Sequence, residues 1–414
     1  MKATILSHLN NPGQLEKLYH SDKQNFKNSI ELLYTEYKHE PIIQFWQERL
    51  HYNETINKVG SNKDFWTAVK LIVIAGLVAN ISNIPGVNEN LFFSRNLGFI
   101  IVPFLAAYFI WKQNISTTIK LVLVSLFVFS ALYINILPSE LNKSSIGLAL
   151  IHLPLFLWCI FGYAYLGNEW YSYEKRIQFL KFNGDLLVIC VVLFLSCMLF
   201  SVVTFGLFEL IGVKIENVYF KYIAIWGIGG IPIMGAYLIN NNPQIINKVT
   251  PIIAKIFTPL VFINLSVYLV TLMYKGRYPY QDRNLLLIYN ALLVGVLALI
   301  FFSIAENEKS KNKFYNALLL FGLCVLTVII NSIALSAIIY RLFEYGITPN
   351  RIAVLGGNII IFINLLLVGY KLILVLIEKS TLSEVENSIA KYLPIYALWT
   401  AIVAFLIPLL FGFK

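Results

Sequence analysis

The chain has 414 residues, of which 58% are hydrophobic and 13% charged, and its mean hydropathy is +0.71. A soluble protein of this length could not cover so much apolar surface with its polar residues, so the composition excludes an ordinary soluble protein and predicts one that lies in lipid. The net charge of +10 is spread along the chain instead of forming a basic arm, which argues against a nucleic acid partner.

Residues 1–64 are polar and predict a small helical cap, followed by a transmembrane helical domain at 65–414. Asn11 suits an N-cap before Pro12, Ser21 is placed in the same way before a second helix, and a third helix is predicted to begin at Pro41. Apolar residues at helical spacing mark the faces that we expect to be buried: Phe26, Ile30, Leu33, Tyr37, Phe45, Trp46 and Leu50. The cap could pack on itself, on the membrane surface or on a protein partner.

Apolar runs of the length that crosses a bilayer, about 20 residues, fill the rest of the chain and lack the alternation of β-strands. The predicted spans are 66–84, 96–111, 117–138, 147–166, 186–211, 220–239, 251–274, 285–305, 315–341, 351–377 and 393–412. The sequence therefore predicts an all-α fold, a polytopic integral membrane bundle of about 11 transmembrane helices with a small cytoplasmic cap.

The distribution of Lys and Arg among the predicted loops gives an orientation. With eleven spans, these residues are about twice as frequent on the side of the N-terminus as on the other side. This bias predicts a cytoplasmic N-terminus and a periplasmic C-terminus.

Two glycine-rich segments inside predicted spans are candidates for interrupted helices. Their residues are Gly227, Gly229, Gly230, Pro232 and Gly235 in the first segment and Gly356, Gly357 and Asn358 in the second. Interrupted helices inside a membrane occur where protein or a water-filled cavity binds the freed backbone groups, as at transporter binding sites. The alternative is close helix packing through small residues.

The stretch RLFEYGITPNR, residues 341–351, predicts a tight helical hairpin. Gly346 suits the position just past the end of one helix, Thr348 suits the N-cap of the next, and Pro349 suits its first turn. Two readings of the charges remain open. In the first, Glu344 is clamped between Arg341 and Arg351. In the second, the arginines form an outward-facing site for an anion or a lipid headgroup.

A second predicted outward loop, KGRYPYQDR, is also rich in positive charge. Its cations are Lys275, Arg277 and Arg283. If this loop neighbours the 341–351 hairpin, the two form a cationic mouth suited to phosphate or carboxylate, because arginine binds such groups with two parallel hydrogen bonds. Interfacial anchoring is the alternative.

The hairpin motif resembles a known family. The pattern Arg341, Glu344, Tyr345, Gly346, Thr348 and Arg351 between two apolar helices is similar to the bacterial polytopic membrane family called domain of unknown function 4153. The segments LEKLYHSDKQNFKNSIELLY, FWQERL and RNLGFIIVPFLAAYFIWK resemble members from Bacteroidota, and YLVTLMYKGRYP resembles a tyrosine-rich helix and loop of the family. The resemblance implies a multi-pass protein of the bacterial inner membrane and implies no activity.

Motif analysis gives no support to an enzyme. No nucleophile elbow, HExxH or phosphate-binding loop is present, the histidines of the cap lack metal-ligand spacing, and the sequence indicates neither a metal site nor a cofactor. Two functions remain as hypotheses. The first is a transporter-like protein that handles a lipid or an anionic solute among membrane lipids. The second is a membrane scaffold or sensor whose tail recruits a protein partner.

Overall fold

The computed structural model describes residues 1–9, 11–57, 62–113, 115–138, 143–210, 214–241, 257–267, 269–270, 274, 283–306 and 313–413. Over these residues the regular structure is entirely helical, without strands. The chain divides into two compact units, Met1–Trp66 and Thr67–Lys414, with a division two residues after the predicted boundary at 64.

The cap contains four helices: α1 (Lys2–Ser7), α2 (Pro12–Ser21), α3 (Lys23–Glu36) and α4 (Pro41–Asn57). The predicted start of α2 is confirmed, because the Asn11 side chain accepts a hydrogen bond from the Gln14 amide. The predicted start of α4 at Pro41 is also confirmed. The helices bury a core of their own: Ile5, Leu15, Phe26, Ile30, Leu33, Ile43, Trp46 and Leu50.

Three details of the cap differ from the prediction. The N-cap of α3 is Asp22, whose side chain accepts from the Asn25 amide, whereas Ser21 ends α2 and donates to the Leu18 carbonyl. Asp22 is the single residue between the two helices, and its carboxylate, which is longer than the Ser21 hydroxyl, caps α3. Tyr37 and Phe45 are exposed, because the buried face of each helix is narrower than the full apolar pattern.

The first part of the membrane unit contains long helices joined by short turns. They are α5 (Asn62–Ala79), which continues through a 3₁₀ turn at Asn80–Asn83, α6 (Glu89–Lys112), α7 (Thr117–Ile136), α8 (Ser144–Leu166) and α9 (Tyr173–Leu210). A broken segment follows. It consists of α10 (Glu216–Val218), a π-helical turn at Tyr219–Ala224 and α11 (Trp226–Asn241).

The second part begins with α12 (Phe257–Val267) and α13 (Arg283–Glu306). The helices α14 (Lys313–Tyr345) and α15 (Pro349–Leu376) form a long hairpin. The last helix, α16 (Leu382–Ala401), passes through a π-helical turn at Ile402–Leu406 into α17 (Ile407–Leu410).

Eight of the described helices are long and apolar enough to cross a membrane. These are Lys63–Asn83, Glu89–Lys112, Thr117–Ile136, Ser144–Glu169, Tyr173–Val202, Phe314–Tyr345, Pro349–Leu376 and Leu382–Leu410. The pair Glu216–Ala224 and Trp226–Asn241 meets the same test with a bend of 46°. Two shorter apolar helices, Phe257–Val267 and Asn290–Ala305, coincide with the two remaining predicted spans. The protein is thus an all-helical chain with several membrane-spanning helices.

Two helices begin well before the apolar runs that predicted them. The structure starts α9 at Tyr173 instead of 186 and α16 at Leu382 instead of 393. Both extensions carry charges and are amphipathic, so a search for uninterrupted apolar residues misses them although they continue the helix. These extensions bring polar side chains to one end of the bundle.

The membrane unit has two main apolar clusters. The first lies among α6, α8 and α9 and is aromatic, with Phe109, Phe161, Tyr165 and Phe182 in mutual ring contact at 5.0–6.1 Å between centroids. The second lies among α13, α14, α15 and α16 and is mainly aliphatic. Polar side chains enter the second cluster at the middle of its helices, and that region forms the candidate site.

Candidate functional site

The hairpin between α14 and α15 has the local structure that its sequence predicts. The helix α14 ends at Tyr345, and Gly346 follows with a φ of +76°, a conformation that costs glycine little. The Thr348 side chain accepts from the Arg351 amide at 3.4 Å, and Pro349 occupies the first turn of α15. The turn chemistry of 346–349 is therefore confirmed.

The arginines of the hairpin face a tyrosine ring instead of the predicted carboxylate. The guanidinium carbons of Arg341 and Arg351 each lie 5.6 Å from the centroid of Tyr345. Arg351 also donates to the carbonyls of Tyr345 and Gly346, which closes the turn. Among the described residues, no ion pair within 4.0 Å includes Glu344, whose side chain is exposed to solvent. The Arg–Glu–Arg clamp is thus replaced by an Arg–Tyr–Arg stack.

The other predicted cationic loop cannot be compared with the hairpin. Lys275 and Arg277 lie outside the described residues. Arg283 is the first residue of α13, but its side chain is outside the described part as well. The cationic mouth stays a prediction.

The first glycine-rich segment follows a real break, which lies just before it. The 46° bend separates Ala224 from Trp226, and the π-helical turn precedes it. Residues Gly227 to Gly235, including Pro232, lie within α11. A Cβ at Gly230 would lie 3.4 Å from Ile72 Cγ2, an ordinary contact distance. A Cβ at Gly229 would lie 2.8 Å from Ala75 Cβ and 3.0 Å from the Ile100 carbonyl oxygen. The glycines therefore allow close packing of α11 on α5 and α6.

The second predicted interruption, at Gly356, Gly357 and Asn358, is wrong. The helix α15 runs through these residues without a break. The glycine is required for a different reason: a Cβ at Gly356 would lie 2.1 Å from Trp399 Cη2, so the indole of α16 occupies the space of a side chain. Gly357 has more room, with Trp399 Nε1 at 3.5 Å.

Asn358 belongs to a set of polar side chains that links the four helices of the second cluster. Asn358 Nδ2 donates to Asn290 Oδ1 at 2.9 Å, and Asn331 Nδ2 donates to the Asn358 carbonyl at 3.1 Å. Asn364 Nδ2 donates to the Tyr396 hydroxyl at 2.9 Å. We call these five residues, Asn290, Asn331, Asn358, Asn364 and Tyr396, the asparagine chain. It connects α13, α14, α15 and α16 near the middle of α14 and α15.

Two acceptors of the asparagine chain have no protein partner. Asn331 and Asn364 are both fully buried, at 0% exposure, and the Oδ1 atom of each lacks a hydrogen bond among the described residues. An amide oxygen buried without a donor costs about 1–3 kcal/mol, and hydrocarbon offers it no water. The site can therefore accept hydrogen bonds from a molecule other than this chain.

Sequence reasoning missed buried charges beside the predicted spans. Arg95 is 8% exposed and donates to the carbonyls of Asn135, Leu137 and Pro138 at 3.0, 2.7 and 2.8 Å, which satisfies the end of α7. Asp185, on α9, is 5% exposed. Their positions could have indicated this. Each is an ionisable residue within or beside a predicted span, and such residues usually face the interior of a helical bundle.

Proline explains two further polar contacts. Pro394 has no N–H to offer the Ala390 carbonyl four residues earlier, and Arg176 Nη1 donates to that carbonyl at 3.0 Å. Pro408 likewise frees the Ala404 carbonyl, and the Tyr133 hydroxyl donates to it at 3.2 Å. These contacts hold the last helix against α7 and α9.

Comparison with models of protein families, with curated proteins and with solved structures found no match to this chain. The functional argument therefore rests on the geometry of the asparagine chain and of the hairpin.

Proposed function

We propose that the chain is a multi-pass protein of the bacterial inner membrane, with a cytoplasmic N-terminus and a periplasmic C-terminus, and a member of the family that its hairpin motif resembles. The bent pair of helices and the two shorter apolar helices would complete eleven spans. Alkaline phosphatase fused after Gly346 should then be active, and the same enzyme fused after Lys309 should be inactive. The reverse pattern would contradict this orientation.

We propose a transporter-like function, in which a polar solute or a lipid headgroup enters the bundle among α13, α14, α15 and α16. The observation that carries the proposal is the pair of unpartnered, fully buried amide oxygens of Asn331 and Asn364. Polar groups at this depth are expensive and are typical of solute pathways.

Cysteine labelling tests whether this region is hydrated. Cys159, Cys190, Cys197 and Cys324 are first replaced by alanine, and Asn331→Cys and Asn364→Cys are introduced separately. In proteoliposomes, a small charged thiol reagent should label both positions. Ala337→Cys, on α14 and equally buried, is the matched control and should stay unlabelled. Absence of labelling at both asparagine positions in a folded protein would contradict the proposal.

The hairpin supports a second part of the same proposal, contact with an anionic headgroup. Phe343, Tyr345 and Ile347 are exposed beside Arg341 and Arg351, a combination that suits the interface of a membrane. Retention of anionic lipid, measured by native mass spectrometry, should fall in Arg277→Gln and Arg341→Gln. Unchanged retention in both folded variants would remove the headgroup from the proposal.

The alternative function, a scaffold or sensor that recruits a partner through the cap, is favoured by the independent core of the cap and by exposed Leu32 and Phe45. A dry bundle in the labelling experiment, together with a cellular cross-link to a partner that Phe45→Ser abolishes, would favour this alternative over transport.

A further inference from the structure

We infer that the asparagine chain takes an uncharged ligand that donates hydrogen bonds through hydroxyl groups, namely water or a small polyol, and that it excludes ions. The inference rests on the proposed function and narrows its substrate class. It also separates the interior of the bundle from the hairpin, where anionic groups are expected.

Two acceptors of the site have no donor in the described part of the chain. Asn331 Oδ1 and Asn364 Oδ1 are buried and lack donors, whereas the Nδ2 atoms of the same residues already donate to the Asn358 carbonyl and to the Tyr396 hydroxyl. A ligand that fits these oxygens supplies hydrogen atoms. Phosphate and carboxylate present oxygen acceptors and would leave these two oxygens without a donor.

The site also offers donors, because each asparagine Nδ2 uses only one of its two hydrogens in the bonds above and the Tyr396 hydroxyl has a hydrogen as well. The Tyr396 hydroxyl accepts from Asn364, and among the described residues it donates to none, so its proton is available. The neighbouring Tyr392 differs, because its hydroxyl already donates to the Ile360 carbonyl at 2.9 Å. Open acceptors beside free donors match a hydroxyl group, which both donates and accepts.

The segments of α13, α14, α15 and α16 that carry the site have no charge that could balance an ion. Residues 290–305, 314–340, 352–370 and 392–410 contain no Asp, Glu, Lys or Arg. An ion held by amide oxygens at this depth would keep an uncompensated charge in a medium of low dielectric constant. A neutral ligand avoids that cost and still satisfies the amides.

The two open oxygens lie at different depths. The bond from Asn331 to the Asn358 carbonyl places Asn331 at the level of residue 358, and Asn364 lies six residues further along α15. At 1.5 Å per residue this is about 9 Å along the helix. A single water molecule cannot reach both oxygens, but a row of about three waters or a polyol of several carbons can.

Stopped-flow light scattering of proteoliposomes tests the inference with defined probes. Sucrose gradients report water permeability, and glycerol and erythritol gradients report polyol permeability. A pH-sensitive dye and a sodium-sensitive dye inside the liposomes report ion entry. The wild-type protein should raise water or polyol permeability above that of empty liposomes, and the double variant Asn331→Leu/Asn364→Leu should return it to the empty-liposome rate.

Two further variants keep the test decisive. Asn240→Leu is the matched control and should retain the wild-type rate, because among the described residues the Asn240 amide bonds only the Ala236 carbonyl of its own helix. If the double variant fails to fold, Tyr396→Phe removes only the hydroxyl and should also lower the rate.

Two outcomes would support the inference and identify the ligand: entry of water alone, or entry of both water and polyols. Entry of sodium ions or protons that the double variant abolishes would overturn it, as would wild-type permeability equal to that of empty liposomes. Thiol labelling at Asn331→Cys without any permeation would overturn this inference while leaving the proposed function in place.

Discussion

Arg95 and Arg176 lie within the first two turns of their helices, whereas Asn331, Asn358 and Asn364 lie near the middle of theirs. The two arginines donate to backbone carbonyls at helix ends or opposite a proline. The asparagines bind mostly other side chains, and two of them keep an open oxygen. The two arginines thus find several backbone acceptors near helix ends, although Arg95 Nε has no partner among the described residues, whereas Asn331 and Asn364 leave an acceptor open in the middle.

The difference between the arginines and the asparagines follows from the free energy of burying a charged or a neutral polar group at each depth. A buried charge needs several donors or acceptors, which the free carbonyls of a helix end provide. An amide carries no net charge, so it can remain half satisfied near the bilayer centre at a cost of about 1–3 kcal/mol. The contacts at the helix ends therefore contribute to stability, and the middle of the bundle carries the open acceptors on which the proposed function rests.

The largest effect is expected at the helix ends. Arg95→Met should lower the free energy of unfolding by about 3–5 kcal/mol, because three buried carbonyls lose a charged donor. Arg95→Lys should be intermediate, since an ammonium cannot reproduce the planar fork of the guanidinium. Thermal unfolding in detergent measures both. A melting temperature for Arg95→Met equal to that of the wild type would show that the carbonyls find water.

Gly356→Ala and Gly357→Ala form a matched pair that tests packing around the asparagine chain. The first places a methyl group 2.1 Å from Trp399 Cη2 and should cost about 1–3 kcal/mol. The second meets Trp399 at an ordinary 3.5 Å and should be neutral or slightly stabilising, because alanine favours a helix. Equal melting temperatures would mean that Trp399 moves freely away from α15.

Within the asparagine chain, Asn358→Leu and Asn331→Leu should differ in sign. Loss of the Asn358 amide leaves Asn290 Oδ1 without its donor and should destabilise the protein by about 1–3 kcal/mol. Asn331→Leu removes an unpaired buried oxygen together with one hydrogen bond, so stability should stay unchanged or rise. If Asn331→Leu is as harmful as Asn358→Leu, its oxygen has a partner within the protein.

The smallest effect is expected in the cap, which provides a water-exposed reference for polar contacts. Arg49 donates to both Glu16 oxygens at 2.7 and 2.9 Å, and this bond holds the pKa of the Glu16 carboxyl below its usual value. A carboxyl whose pKa is lower in the folded state stabilises that state above its unfolded pKa, and the contribution disappears as the pH falls through the folded pKa.

Hydrogen exchange over residues 11–57, corrected for intrinsic rates, should therefore be slightly faster in Glu16→Gln than in the wild type at pH 7. The two proteins should converge as the pH falls through the lowered pKa of the folded Glu16 carboxyl. Glu40→Gln, an exposed carboxyl of the same unit, serves as the control and should not differ from the wild type at either pH. A difference that persists at low pH would assign the effect to packing of the Arg49 guanidinium on Trp46.

The sequence predicted what depends on neighbouring residues. The turn at Gly346, Thr348 and Pro349 and the N-cap at Asn11 follow from local backbone chemistry, and the apolar runs follow from the thickness of a bilayer. The early start of α9 was missed because its charged extension is helical without being apolar.

Contacts between distant helices were beyond this reasoning. The bond between Asn364 and Tyr396 joins residues 32 positions apart, and nothing in either neighbourhood indicates the pair. The contacts of Tyr345 were missed although they are local, because Arg341 lies four residues before Tyr345 on α14 and Arg351 folds back over the turn onto the same ring. The glycine-rich segments were recognised, and the indole that requires Gly356 was not, because it belongs to another helix.

The prolines of the last helix have a consequence for biogenesis. Their freed carbonyls at Ala390 and Ala404 are bound by Arg176 and Tyr133, both of which are synthesised more than 200 residues earlier. When this helix leaves the translocon alone, lipid offers those carbonyls no donor. The last helix is therefore stably inserted only after α7 and α9 have folded. Its insertion is the final step of assembly and depends on those earlier helices.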